Sequence, residues 1–96
     1  MKIETNILRE VLQAKNTFQE NEITILDISI DSRSLRNVSH TLFFVFFGIH
    51  HNAHDYLADL YEKGVRYFVV SEKVLLPRDA VLFLVDNTLN ALQAFV

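Results

Sequence analysis

Apolar residues in the first dozen positions recur at spacings of four and one. Ile3, Ile7, Leu8, Val11 and Leu12 form one stripe at helical period, with Arg9, Glu10 and Gln13 on the other face. That pattern predicts an amphipathic helix. The segment 16–21 is polar except for Phe18 and reads as a connection. From Ile23 the period changes to two. Ile23 and Ile25 alternate with polar residues, and so do Ile28 and Ile30, but the two sets are out of phase by one position. A bulge, or two short strands meeting near Leu26–Asp27, reconciles the phases. Asp31, Ser32, Arg33 and Ser34 then end the strand with turn-forming side chains.

The run Leu42–Phe47 is continuously apolar, which predicts a strand buried on both faces and hence central in a covered sheet. Gly48 stops it, and Ile49, His50 and His51 lead to Asn52, a natural helix cap with Asp55 three residues on. Ala53, Tyr56, Leu57, Leu60 and Tyr61 follow the helical repeat. Gly64 stands where a left-handed terminator belongs, with Lys63 at the negative end of the helix dipole. Residues 65–70 and 81–85 read as two more strands, with Pro77 in the loop between them. The first of them completes a βαβ unit with Phe44 and helix 53–63. Asp86, Asn87 and Thr88 open a last helix carrying Leu89, Leu92, Phe95 and Val96. Its apolar end has no stop signal, so the chain reads as a fragment of something longer. The expected class is α/β, with a mixed β-sheet of about four to five strands covered by helices.

Composition narrows the function. Ninety-six residues, half of them hydrophobic, with a mean hydropathy of +0.17, fit one domain over 1–96 with a packed core. The only glycines are Gly48 and Gly64, too far apart for a P-loop and too few for a dinucleotide-binding loop. The absence of cysteine excludes disulfides, thiolate metal sites and a cysteine nucleophile, and fits a cytoplasmic protein. A net charge of −3 argues against a nucleic-acid partner. The charged N-terminus and the short apolar runs give no signal peptide and no membrane insertion.

Two polar constellations follow strands. Asp31-Ser32-Arg33 offers a hydroxyl and a planar guanidinium fork to phosphate or carbonyl oxygens; the simpler reading is a capped turn. His50, His51 and Asn52 precede a helix N-terminus, a natural anion site. His50 and His54 have the spacing of paired metal ligands, but no second motif supports a metal, so none is assigned. His54 in the first helical turn, and Asn52 before it, order the loop. Nothing resembles the nucleophile elbow of a serine hydrolase around Ser32. Phe43, Phe44, Phe46 and Phe47 read as core, and Glu62, Glu72 and Asp79 as solvated surface.

The ordered set of these pieces resembles the N-terminal domain of the Mur ligases, closest to the MurF type of peptidoglycan synthesis. The matching residues are Asp31-Ser32-Arg33, Leu42-Phe43-Phe44-Val45, Gly48, Asn52-Ala53-His54-Asp55-Tyr56 and Lys63-Gly64-Val65. Phe68-Val69-Val70-Ser71, Val85-Asp86-Asn87-Thr88-Leu89 and Ala91-Leu92-Gln93 complete the set. The resemblance runs from Ile23 onward and implies a MurE/MurF N-terminal-domain-like fold. It also implies binding of the UDP end of a UDP-MurNAc-peptide, with Ile30, Ser32, Arg33, Ile49, His50 and His51 as contacts. No catalytic residue is expected in these residues. In that family, ATP and Mg²⁺ are held by a central ATPase domain, the implied partner of this one. The activity implied for the parent is ATP-dependent addition of D-alanyl-D-alanine. The long connection from Arg33 to Leu42 resembles the forms fused to a pyridoxal-phosphate (PLP) alanine racemase. Phe47 replaces a common lysine and Asn52 a common aspartate. The competing expectation is a non-catalytic interaction or regulatory module that binds no nucleotide.

Overall fold

The two out-of-phase isoleucine pairs belong to two different strands, as the computed structural model shows for its described residues 1–16, 21–46 and 53–96. Strand β2 (Glu22–Thr24) pairs antiparallel with β1 (Lys2–Glu4), Ile23 opposite Ile3. After Ile25 and Leu26 the chain becomes β3 (Asp27–Ser29), which pairs parallel with β4 (Thr41–Phe44). Each residue of a strand directs its backbone groups to one side in the sheet plane, and successive residues alternate. Accordingly Ile25 N–H donates outward to Met1 O at 2.8 Å, and Leu26 N–H donates inward to His40 O at 2.8 Å. One continuous extended segment thus serves two sheets, and the phase slip marks the exchange.

β4 continues through helix α2 (Ala53–Glu62) to β5 (Tyr67–Val70), and β6 (Val81–Leu84) closes a four-stranded parallel sheet in the order β3-β4-β5-β6. The expected single mixed sheet is therefore corrected: the main sheet is all parallel, and the antiparallel pair β1–β2 stands apart from it. The antiparallel pair β1–β2 is not legible in the pattern because Ile3 fits the helical stripe as well as a strand. Helix α1 covers only Thr5–Leu12 and buries Thr5, Leu8 and Leu12, leaving Ile7 and Val11 exposed.

The sheet has two covered faces. Leu42, Phe44, Val69 and Phe83 pack under α1, β2 and helix α3 (Thr88–Phe95). Phe43, Val45, Phe68 and Val70 pack under Leu57 and Leu60 of α2. Leu42, Phe43 and Phe44 are fully buried, as expected for a central strand. Leu35 and Val38 of the β3–β4 connection, and Val74 and Leu76 of the β5–β6 connection, join the α2 face. All three crossovers therefore lie on one side, as same-handed connections advancing in one direction must.

Two local devices fix the helix ends. Gly64 takes φ 112°, with Gly64 N–H donating to Tyr61 O and Val65 N–H to Leu60 O, the paired bonds of a Schellman stop. A Cβ there would meet Val38 Cγ1 at 3.3 Å. The same bonding ends α1 with Gln13 at φ 58° in place of glycine. Asp79 lies on the solvated surface, as expected, and there its carboxylate accepts from Tyr61 Oη–H and, at 3.0 Å, from Arg66 Nε–H. The Arg66 guanidinium lies 3.8 Å over the Tyr61 ring. This clamp ties α2, the start of β5 and the loop before β6 together.

Candidate functional site

In a parallel sheet every strand delivers its following loop to the same edge, where ligands of open α/β sheets collect. Ser29 stands opposite Phe43 in the β3–β4 register, so the turn Ile30–Arg33 begins beside the C-terminal end of β4. Helix α2 begins on this edge, because it follows β4 and returns to start β5.

The turn after β3 is built from its own polar side chains. Ser29 Oγ donates to Asp31 O at 2.9 Å and accepts from Asp31 N–H at 3.2 Å. Asp31 caps the one-turn 3-10 helix Ser32–Ser34, its Oδ1 accepting from Arg33 N–H at 2.9 Å. Arg33 returns its fork to the same carboxylate, Nε–H donating to Oδ1 at 3.1 Å and Nη2–H to Oδ2 at 2.9 Å. The hydrogen bond from the Arg33 side chain holds the Asp31 carboxyl below its usual range, and Asp31 raises the Arg33 guanidinium in turn. The capped turn and the outward arginine are thus one structure. Arg33 remains 89% exposed, which leaves its Nη1 side presented to solvent. Ser32 is half-buried, and no hydrogen bond of its hydroxyl is formed among the described residues.

Ile30 is 56% exposed and lines a hollow of about 340 Å³ with Ile28, Ser29, Leu92 and Val96. That hollow faces α3, so Ile30 looks across the opposite side of the sheet from α2. Of the expected contacts, Ile30, Ser32 and Arg33 therefore share one turn. Ile49, His50, His51 and Asn52 lie outside the described residues, and of His54 only its backbone place as the second residue of α2 is described. His40 has a structural position: its Nδ1 is 3.2 Å from Thr24 O, a bond it makes as donor. Among the described residues no group of three or more His, Asp or Glu side chains is placed to hold a metal ion.

One feature of this edge escaped the sequence. Residues Gln13, Asp86, Asn87 and Asn90 wall a groove of about 260 Å³ between the end of α1 and the start of α3. Asn87 Oδ1 caps α3 by accepting from Asn90 N–H at 2.9 Å, and Lys15 Nζ pairs with Asp86 at 2.6 Å. The helix start at 86–88 is visible in the sequence, but its meeting with Gln13 depends on the packing of α1 against α3, elements far apart in the chain.

Comparison of the chain with family models, curated proteins and solved structures found no match.

Proposed function

We propose that the chain holds the UDP end of a UDP-MurNAc-peptide as the N-terminal domain of a MurF-type ligase. The reading rests on the ordered resemblance from Ile23 to Gln93. The observation that supports it furthest is the parallel β3–β4 register, which sets the Asp31-Ser32-Arg33 turn beside the C-terminal end of β4. In this reading the Ser32 hydroxyl exchanges hydrogen bonds with the uridine side, where it can both donate and accept. Asp31 acts as a positioning residue: it orients Arg33 and takes up most of its fork. A diphosphate therefore competes with Asp31 for that guanidinium, and its neutralisation falls mainly to the central ATPase domain. That domain would also hold ATP and Mg²⁺, which supply the acyl-phosphate chemistry of the parent ligase in the cytoplasm. A racemase fusion would add PLP chemistry elsewhere in the parent. This chain contributes binding and orientation, with no membrane insertion and no nucleic acid. No helix among its described residues is long and apolar enough to cross a membrane.

Titration of the chain with UDP, followed by amide chemical shifts, tests the reading. Shifts are expected at Ile30–Arg33, and Ser32→Ala is expected to weaken binding about tenfold, the size of one lost hydrogen bond. Equal affinity of the variant and the parent chain, or no shift at this turn, overturns the assignment.

A further inference from the structure

β3 is an edge strand, and the alternation set by Ile25 and Leu26 decides which of its groups face outward. Leu26 N–H points to β4, so Ile28 does too, and the N–H and C=O of Asp27 and Ser29 point away from the sheet. No strand pairs with β3 on that side among the described residues. The side chains of Leu26, Ile28 and Ile30 all stand on the α3 face, in two adjoining hollows of about 340 Å³ each that meet at Ile28. Leu26 and Ile30 are more than half exposed, and Ile28 is 40% exposed.

We propose that this edge is a two-fold interface with a second copy of the chain, β3 pairing antiparallel with β3 about an axis through Ile28. The strand is self-complementary in that one register. Asp27 faces Ser29 of the second copy and exchanges both backbone hydrogen bonds with it. The symmetric pair does the same, so all four outward residues are satisfied. Ile28 faces Ile28, and Leu26 faces Ile30, on a single continuous face. Sliding by two residues one way sets Asp27 against Asp27 and demands backbone groups of Ile25 that Met1 already holds. Sliding the other way sets Asp27 against Asp31, in the turn. Either shift puts carboxylate opposite carboxylate, which a paired sheet disfavours. The apolar strip of Leu26, Ile28 and Ile30 exposes roughly 300 Å² per copy, so the interface is a small, weak one in which the backbone ladder supplies the register.

Growth stops at two. The opposite edge of the sheet, β6, is closed within the chain by Asn16, whose Nδ2–H donates to Leu82 O at 2.6 Å and whose Oδ1 accepts from Leu84 N–H at 2.9 Å. Pairing of β3 with β6, which would build an open ladder, is blocked.

The chain contains no cysteine, so a single introduced thiol reports the register. In a non-hydrogen-bonded antiparallel pair the Cα atoms lie about 4.5 Å apart, within disulfide range. Ile28→Cys is expected to form a covalent species of twice 11.1 kDa under mild oxidation. Leu75→Cys, on a remote residue 93% exposed, is expected to remain single. Ile30→Cys alone is expected to cross-link far less, because Ile30 faces Leu26. Sedimentation of the unmodified chain is expected to shift from monomer toward dimer mass between about 10 µM and about 1 mM, with Ile28→Lys remaining monomeric and folded by circular dichroism. Three results overturn the proposal. They are cross-linking of Ile28→Cys no faster than of Leu75→Cys, a monomer at every concentration, or a ladder of masses above the dimer.

Discussion

The two edges of the parallel sheet solve the same problem in opposite ways. An edge strand presents a row of unpaired amides and carbonyls, which must be covered or managed. At β6 one side chain does the covering. The Asn16 amide supplies one donor and one acceptor to Leu82 O and Leu84 N–H, and Lys15 N–H adds a third bond, to Leu84 O at 2.7 Å. A primary amide can stand in for a strand because it carries the same pair of groups as a peptide. At β3 nothing comparable bonds the outward backbone groups among the described residues; Leu26, Ile28 and Ile30 line one face of the strand, and Asp27 and Ser29 the other. The contrast shows that edge protection here is a local choice of side chain, not a consequence of the sheet.

The largest effect that breaks this contrast is expected from Asn16→Ala. It leaves Leu84 N–H and Leu82 C=O without their partner at a half-buried edge, which costs about 2–3 kcal/mol. The melting temperature is expected to fall by about 10 °C. Calorimetric melting checks this, and an unchanged midpoint would show that water closes the β6 edge equally well.

Acid sharpens the comparison next. Each edge strand is flanked by an aspartate held below its usual range, Asp31 after β3 chiefly by the Arg33 side chain and Asp79 before β6 chiefly by the Tyr61 hydroxyl. Groups with lowered folded pKa contribute stability that is complete above about pH 4 and is lost as the pH falls through the folded value. Asp31 closes a contact two residues long, whereas Asp79 joins segments 13 and 18 residues away. The acid loss of melting temperature is therefore expected to be reduced more by Asp79→Asn than by Asp31→Asn, measured from pH 5 to below pH 3 relative to neutral pH. The Tyr61 hydroxyl, raised above 10.0 by the same bond, adds an alkaline loss as the pH rises through its folded value.

The smallest effect is expected from Lys15→Ala, which removes the exposed ion pair with Asp86 but leaves the Lys15 backbone bond to β6. A change below about 1 kcal/mol, shrinking with added salt, is expected from thermal melts at two ionic strengths. A larger loss would mean that the ion pair, and not the Asn16 amide, closes this edge.

Much of the architecture was legible because it is local. Leu42–Phe44 announced a strand with two buried faces, and Tyr56, Leu57 and Leu60 announced the helix that covers one of them. Gly64 marked its stop. The first turn of the candidate site was also legible, since Asp31, Ser29 and Arg33 bond within four residues of one another. What failed was periodicity over short segments. Ile3, Ile7 and Val11 share a helical stripe, yet Ile3 pairs opposite Ile23 in a strand and the other two face solvent on α1. Asn16 looked like any polar residue of a connection, and its role exists only against a strand 66 residues further on.

The sequence by itself determined which residues are apolar at which period, and so which elements form and which faces they bury. Only the tertiary structure decided strand order, the division into two sheets, and which strands became edges. The physical reason is range. Alternation, caps and turns act between residues a few positions apart. An edge is defined by what does not pair with it, which depends on every other element of the chain. Asp27 and Ser29 read as ordinary strand positions, and only the placement of β3 at the end of the sheet turned their backbone groups outward.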